Sequence, residues 1–267
     1  AGLADAYREL EIVNAANTTY LDTYKSFLYD RLKRKGSDHK DIHRLAARDR
    51  HVFASLMLAH GHGDGLVTGA TRKSAHVLER LNHVFDANAE HGAVGITALL
   101  HKGRIVFIGD TLVHEWPDEV DLANIAESGA KVARHMGLEP RVAFVSFSTF
   151  GYPVSERAEK MQRAPDVLDT RGVDFEYEGE MTVDVALNVA SQKNYPFSRL
   201  TGPANILVVP ARHSASISVK LMQEMAGATV IGPILTGLDK SIQICSTTST
   251  ANDILNMAIL AACKVGE

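Results

Sequence analysis

Apolar residues recur at helical spacing through the first sixty positions, beginning in helix-like sequence directly at Ala1. Across residues 19–34 they fall at Leu21, Tyr24, Phe27, Leu28 and Leu32, and Gly36 follows a basic last turn. That spacing sets one apolar face on a helix, and the glycine supplies its left-handed stop. A second run over residues 43–60 carries Leu45, Ala46, Val52, Phe53, Leu56 and Met57, and predicts one helix. Gly61, Gly63 and Gly65 break it. Residues 66–70 then read as a short buried strand, and residues 73–85 as a further helix.

The pattern changes in the middle of the chain. Residues 94–100 and 104–109 are β-rich runs joined by His101-Lys102-Gly103, the signature of a hairpin with glycine at a left-handed position. Pro117-Asp118 opens a helix that Gly137 closes. Strands are predicted at 141–148, 205–209, 230–235 and 242–245, with a short strand or loop opening 175–186 before another helix begins. Helices are predicted from about 155, where Pro165 interrupts, and over 214–225 and 250–264. Short, wholly apolar strands alternating with helices predict an α/β fold, with mostly parallel sheets covered by helices on both faces.

Composition narrows the function. Of 267 residues 45% are hydrophobic and 22% charged, and no apolar run reaches the length of a membrane span. Lys and Arg number 28 against 32 Asp and Glu, a net charge of −4 that excludes binding nucleic acid or a membrane surface by bulk charge. Two cysteines, Cys245 and Cys263, build neither a disulfide framework nor a four-thiolate zinc site. A cytoplasmic location is expected.

Several stretches offer chemistry. Gly61-His62-Gly63-Asp64-Gly65 is glycine-rich, but it follows a helix and precedes a strand, opposite to a dinucleotide-binding turn. A tight connection is the better reading. Gly69-Ala70-Thr71-Arg72-Lys73-Ser74 lacks the Gly-Lys-Ser order of a P-loop, yet its amides, hydroxyls and cations suit an anion. His39 and His43 have helical metal-ligand spacing without a third ligand, so no metal site is expected. The run Ser246-Thr247-Thr248-Ser249-Thr250 enters the last helix, and Asp253 follows three residues after Thr250. It reads either as a capping box or as a ligand site at a strand's carboxyl end, with Asp253 as base. Two further strand ends are hydroxyl-rich, Ser146-Phe147-Ser148-Thr149 and Ala211-Arg212-His213-Ser214-Ala215-Ser216.

Taken in order, Asp64 to Ala70, Ser146 to Gly151, Glu178-Gly179-Glu180-Met181, Gly202 to Pro210 and Gly232 to Lys240 resemble the phosphate acetyltransferase (phosphotransacetylase) family over nearly the whole chain. The resemblance implies two α/β/α subdomains with a cleft between them, like the isocitrate and isopropylmalate dehydrogenases. On that basis residues 1–82 and 233–267 form the first subdomain and 83–232 the second. The family's opening strand–helix segment is missing, so the first subdomain is expected to be truncated, in keeping with a start at Ala1 rather than Met.

The family moves an acetyl group between acetyl phosphate and coenzyme A. Such a reaction needs a base for the thiol, a cation for the phosphate and donors for the carbonyl oxygen. The resemblance assigns these roles to Ser246 and Asp253, but its phosphate-holding Arg is Thr247 here and the next Gly is Thr248. Ala211 replaces an Asp, Ala215-Ser216 replace Gly-Asn, and Glu79 stands where an Arg is expected, with Arg80 one step on. Losing a bidentate guanidinium removes a large part of transition-state stabilisation.

These departures, with Val173 to Met181, Ala211 to Ser218 and Gly237 to Ile244, are closer to the phosphotransacetylase-like C-terminal domain of bacterial NADP-dependent malic enzymes. That resemblance implies a domain without acetyl transfer that binds acetyl-CoA as an effector of a malic enzyme domain in the same polypeptide. The implied ligand residues are Thr68, Gly69, Thr71, Arg72, Lys73, Ser148, Thr149, Arg212, Ser214, Ser216, Ser246, Thr247 and Asp253. It implies no cofactor for this chain, NADP and a divalent metal for the parent enzyme, and a homo-oligomer. An active phosphate acetyltransferase, with Arg212 replacing the lost cation, is the alternative; a structural oligomerisation module is a lesser one.

Overall fold

A computed structural model describes residues 11–88 and 91–265. The helix-like reading of the sequence from Ala1 lies, for residues 1–10, outside the described residues. The chain divides into two compact units, one of residues up to 63 with 79–85, the other of 64–78 and everything from 86 on.

Among the described residues the smaller unit contains α1 (Leu21–Leu32), α2 (His39–Arg48) and α3 (Arg50–Ala59). Tyr24, Leu28, Ile42 and Leu56 form its core and are fully buried. The single helix expected over residues 43–60 is two. Asp49 takes an extended backbone, and its carboxylate accepts the N–H groups of His51 and Val52 at 3.0 and 3.2 Å. The break costs little because this cap satisfies donors that the interruption frees, while the apolar periodicity runs on through it.

The larger unit is built on six strands in the order β5-β4-β6-β3-β2-β7. These are β2 (Val94–His101), β3 (Arg104–Gly109), β4 (Arg141–Val145), β5 (Glu176–Met181), β6 (Ile206–Val208) and β7 (Thr229–Thr236). β5, β4, β6 and β3 run parallel, and β2 is antiparallel to both its neighbours. The β2–β3 hairpin turns on Lys102 and Gly103, at φ 48° and 74°, as a two-residue turn between twisted strands requires.

Helices cover both faces. Val142 and Phe144 of β4 pack with Ile125 and Met161, from α5 (Glu119–His135) and α6 (Glu156–Arg171). Ala143 and Val145 face the other way, toward Val185 of α7 (Val183–Leu187) and Val219 of α9 (Arg212–Ala226), beyond the short α8 (Val189–Gln192). A strand buried on both faces has no reason to alternate apolar with polar, and β4 does not. The interruption expected at Pro165 does not occur: α6 runs through it. The proline removes one helical hydrogen bond, but Ala158, Met161, Ala164 and Leu168 on either side are fully buried and hold both halves against the sheet.

A two-stranded parallel sheet pairs β1 (Leu66–Gly69) with β8 (Ile242–Cys245). The fully buried Gln243 joins it to the large sheet: its side-chain amide accepts from Leu235 N–H at 3.0 Å and donates to Leu235 C=O at 3.1 Å. Behind it, Ser241 Oγ donates to the Ala261 carbonyl at 2.8 Å and ties down α10 (Ala251–Ala262). Between residues 70 and 86 the chain forms α4 (Ser74–Leu81).

A buried carboxylate organises the end of β3. Asp110 accepts backbone N–H groups from Gly95, Leu112, Val113 and His114 and the Nδ1–H of His114 at 2.8 Å. Gly95 is required here, since a Cβ on it would lie 2.4 Å from that of Leu112. The hydrogen bond that His114 donates to Asp110 pushes the His114 pKa above its ordinary 6.5, against burial.

Two outcomes follow from these contacts. Gln243→Leu leaves a buried N–H and C=O of Leu235 without partners, and we expect it to lower the unfolding free energy by about 3 kcal/mol in denaturant titration. Because the folded pKa of His114 is raised, its contribution is complete below about pH 6.5 and fades as pH rises through the folded value. His114→Gln therefore flattens the melting temperature against pH in that window; an unchanged slope contradicts the assignment.

Candidate functional site

The carboxyl ends of β1 and β8 lie side by side. Gly69 pairs with Cys245, and Ala70 N–H donates to the Cys245 carbonyl at 3.0 Å. Gly69 sits at φ 106°, and a Cβ there would fall 2.2 Å from the Cys245 carbonyl oxygen, so only glycine permits this approach. Beyond it Thr71, Arg72 and Lys73 are exposed before α4, while Thr68 is half-buried in the strand. Beyond β8, Ser246 begins the hydroxyl run. Its Oγ lies 3.0 Å from Thr248 Oγ1 and accepts Thr248 N–H at 3.3 Å.

A cavity of about 250 Å³ opens beside this turn. Ser246, Thr248 and Asp253 line one part of it, and Lys220, Gln223 and Asn256 another. The two readings of Asp253 converge in space. It completes a capping box, its Oδ2 accepting Thr250 N–H at 2.8 Å and Thr250 Oγ1–H at 2.9 Å, while Thr250 Oγ1 accepts Asp253 N–H at 3.3 Å. It also faces the cavity. Burial first, and the charge of Asp253 second, push the Cys245 thiol pKa upward, which keeps that sulfur protonated and a poor nucleophile.

The remaining expected residues are scattered. Thr247 is exposed and outside the lining of the cavity. Arg212 donates to the Leu112 carbonyl at 3.1 Å and pairs with Glu115 at 3.5 Å, so its charge is directed at the β3–α5 connection. Ser214 lines a different and larger cleft, about 950 Å³, at the carboxyl ends of β4 and β6. Ser216 lines neither. Ser148 is fully buried, its hydroxyl 3.3 Å from Ser146 Oγ, and Thr149 accepts the N–H of Thr182 at 3.1 Å. Both brace the loop after β4.

Lys220 is the cation that the sequence reading missed. It lies mid-helix in α9, and only the packing of α9 against the sheet places it in the lining of the cavity that Ser246 also lines. Its one available signal was position: it lies on the helix that follows the hydroxyl-rich end of β6. Among the described residues there is no group of three or more His, Cys, Asp or Glu placed to hold a metal, and no helix is long and apolar enough to cross a membrane.

This mixed α/β fold with mostly parallel strands is shared by solved phosphotransacetylases. One from Streptococcus pyogenes superposes with a TM-score of 0.87 at 25% identity, over 95% of this chain and 78% of that one. The EutD phosphotransacetylase from Staphylococcus aureus shares the fold at a TM-score of 0.84, over 98% of this chain and 82% of that one. The sequence pattern of the phosphate acetyl/butaryl transferases matches residues 2–262, and the chain belongs to that family. It is 48% identical over 257 residues to an NADP-dependent malic enzyme of Rhizobium meliloti, covering 96% of this chain but 34% of that protein. The probable NADP-dependent malic enzyme of Rickettsia prowazekii is 39% identical, with 34% of its length covered. A phosphate acetyltransferase of Bacillus subtilis is 29% identical over 87% of this chain and 72% of its own. The chain thus spans about a third of the length of the malic enzymes it matches.

The capping box makes a specific demand on stability. Thr250→Ala removes the acceptor for Asp253 N–H and one donor to its carboxylate, and we expect a loss of about 1 kcal/mol in chemical unfolding. Thr250→Ser, which keeps the hydroxyl, restores most of it.

Proposed function

We propose that the chain is the phosphotransacetylase-like regulatory domain of an NADP-dependent malic enzyme, which converts malate to pyruvate and CO2. It binds acetyl-CoA, with the thioester end in the cavity beside Ser246, as an allosteric inhibitor and does not itself transfer acetyl groups. The parent enzyme uses NADP and a divalent metal, and the chain assembles as a homo-oligomer. The observation that carries this reading is Thr247, a short exposed hydroxyl at the position where the family resemblance places a phosphate-holding arginine. Support comes from the 48% identity to a malic enzyme over 96% of the chain.

The chemistry divides accordingly. Thioester recognition needs hydrogen-bond donors and a cation for the coenzyme's phosphates, and Ser246, Thr248 and Lys220 line the cavity. Acetyl transfer also needs a clamp on the leaving phosphate, which a threonine hydroxyl supplies poorly in place of a charged bidentate donor. Asp253 is bound into the helix cap through Oδ2, so use as a base competes with holding α10. Inhibition then requires acetyl-CoA to bind one state of the assembled enzyme more tightly than another.

One observation favours the second reading, an active phosphate acetyltransferase: Ser246 and Asp253, to which the resemblance assigns catalysis, line the same cavity. The two readings separate in one assay. With coenzyme A and acetyl phosphate we expect no thioester above the uncatalysed rate, and turnover at ordinary enzyme rates overturns the regulatory reading. In parallel, saturating acetyl-CoA raises the melting temperature, because a ligand of the folded state alone adds stability. Lys220→Met weakens that binding about tenfold in calorimetry, the loss of one charge-assisted contact. A flat melting temperature contradicts both readings.

A further inference from the structure

The parallel strands have another end, away from the larger cleft. There Arg104 opens β3, Arg141 opens β4 and Asn205 leads into β6. β6 lies between β3 and β4, with Ile206 paired to both Phe107 and Val142, so the two arginines flank its entry. Both line one pocket of about 310 Å³, at the small end of the range for organic ligands.

Neither guanidinium is loose. Arg141 Nε donates to the Pro203 carbonyl at 2.9 Å, and one terminal nitrogen of Arg104 donates to the Leu187 carbonyl at 3.3 Å. Each contact orients its group and leaves the rest of the donor fork open. Among the described residues no carboxylate pairs with either arginine, and none lines the pocket. Glu176, in register with Arg141, spends its carboxylate on Thr201, accepting the N–H at 2.9 Å and Oγ1–H at 2.7 Å. Two like charges thus share one pocket with no acid between them, an arrangement that a bound anion relieves.

The remaining wall says what the anion carries. Ile105, Leu138 and Pro203 are half-buried apolar side chains, and the first two also pack on the core of the sheet, which fixes the surface they offer. Among the described residues of the lining Asn205 is the one uncharged polar side chain, and its amide is already used. Its Oδ1 accepts Arg141 N–H at 2.8 Å, and its Nδ2 donates to the Glu139 carbonyl at 2.8 Å. A sugar would find no free amide or hydroxyl side chain for its own hydroxyls, whereas an apolar body gains by leaving water.

We propose that this pocket binds a small monocarboxylate with a branched or aromatic apolar body. The carboxylate is gripped by Arg104 and Arg141, whose planar forks match it, and the body rests on Ile105, Leu138 and Pro203. The site is separate from the Ser246 cavity and from the larger cleft, and it stands whether or not the chain transfers acetyl groups.

Phenylacetate is the probe, titrated into the 267-residue chain by calorimetry. Saturable binding is expected, with the neutral isostere phenylacetamide at least about tenfold weaker for want of the charge-assisted contacts. Inorganic phosphate, an anion without an apolar body, is expected to be weaker by about the same factor. In NMR the ring protons of the bound probe show contacts to the methyl groups of Ile105 and Leu138. Arg141→Met weakens phenylacetate about tenfold. Because Arg141 also braces the Pro203 carbonyl, a second variant is needed: Arg104→Glu, at an exposed position, supplies an internal carboxylate to the pocket. It is expected to abolish binding while melting at the parent temperature. The proposal is overturned if about 10 mM phenylacetate gives neither heat nor NMR contacts, since the affinity expected of such a site is well within that range. It is also overturned if phenylacetamide or phosphate binds as tightly as phenylacetate, or if Arg104→Glu binds the probe as the parent does. Displacement of the probe by acetyl-CoA equally overturns it, because the two would then share a site.

Discussion

The side-chain amide of Gln243 does the work of a peptide unit. With its carbonyl on Leu235 N–H and its NH2 on Leu235 C=O, it extends hydrogen bonding from β7 to β8 where backbone pairing is not made. Burial makes the arrangement exacting, because an orphaned amide in this interior costs far more than an exposed one. The consequence is positional. β8 is held in one register beside β7, β1 follows β8 residue for residue, and the ends of both strands arrive at one place. The cavity exists because Gly232 of β7, Ser246 after β8 and Lys220 of α9 are brought together there. Gly69 then allows the last residues of β1 to lie directly on Cys245.

Asp110 plays the corresponding part at the end of β3, where Gly95, the register partner of Leu235, donates its N–H to it. Four backbone donors and a histidine converge on it, so the connection between β3 and α5 is set from within. Trp116 and the Pro117 carbonyl follow directly in the chain, and Arg212 reaches back to the Leu112 carbonyl. An arginine that composition offers as a free cation is thereby a brace. The net charge of −4 is met in the same local way: Lys220 lines the cavity beside Ser246 and Lys160 the larger cleft, each placed by the packing of its helix.

Much of the fold was legible in the chain. The hairpin at Lys102-Gly103, the helix stops at Gly36 and Gly137, and the apolar run Val142–Val145 of β4 are local statements, and local physics enforces them. The misses were also local rules, overruled from outside. Pro165 fails to break α6 because the sheet holds both halves. Apolar spacing over residues 43–60 fails to show the break at Asp49, because a well-made cap lets the interruption pass at little cost. For the site, the hydroxyl run ending in Asp253 was visible, as were both of its readings, and the structure satisfies the capping box while turning the carboxylate to the cavity. Ser148, Thr149 and Arg212 could not be told from ligand residues by type, since the same hydroxyls and guanidinium also serve to brace loops.

The sequence by itself determined the elements, the two-faced burial of the sheet and the family, because each is written in short-range periodicity and in motifs that keep their order. It determined also that threonine stands at position 247. Only the tertiary structure decided which polar groups share a space. It put Lys220 in the lining of one cavity with Ser246 and Asp253, put Ser214 in another cleft and buried Ser148. The physical reason is that a side chain's neighbours depend on strand register and helix packing, which are fixed by contacts such as Gln243 to Leu235 between residues far apart along the chain or on different elements. Chemistry by residue type is local information; proximity is not.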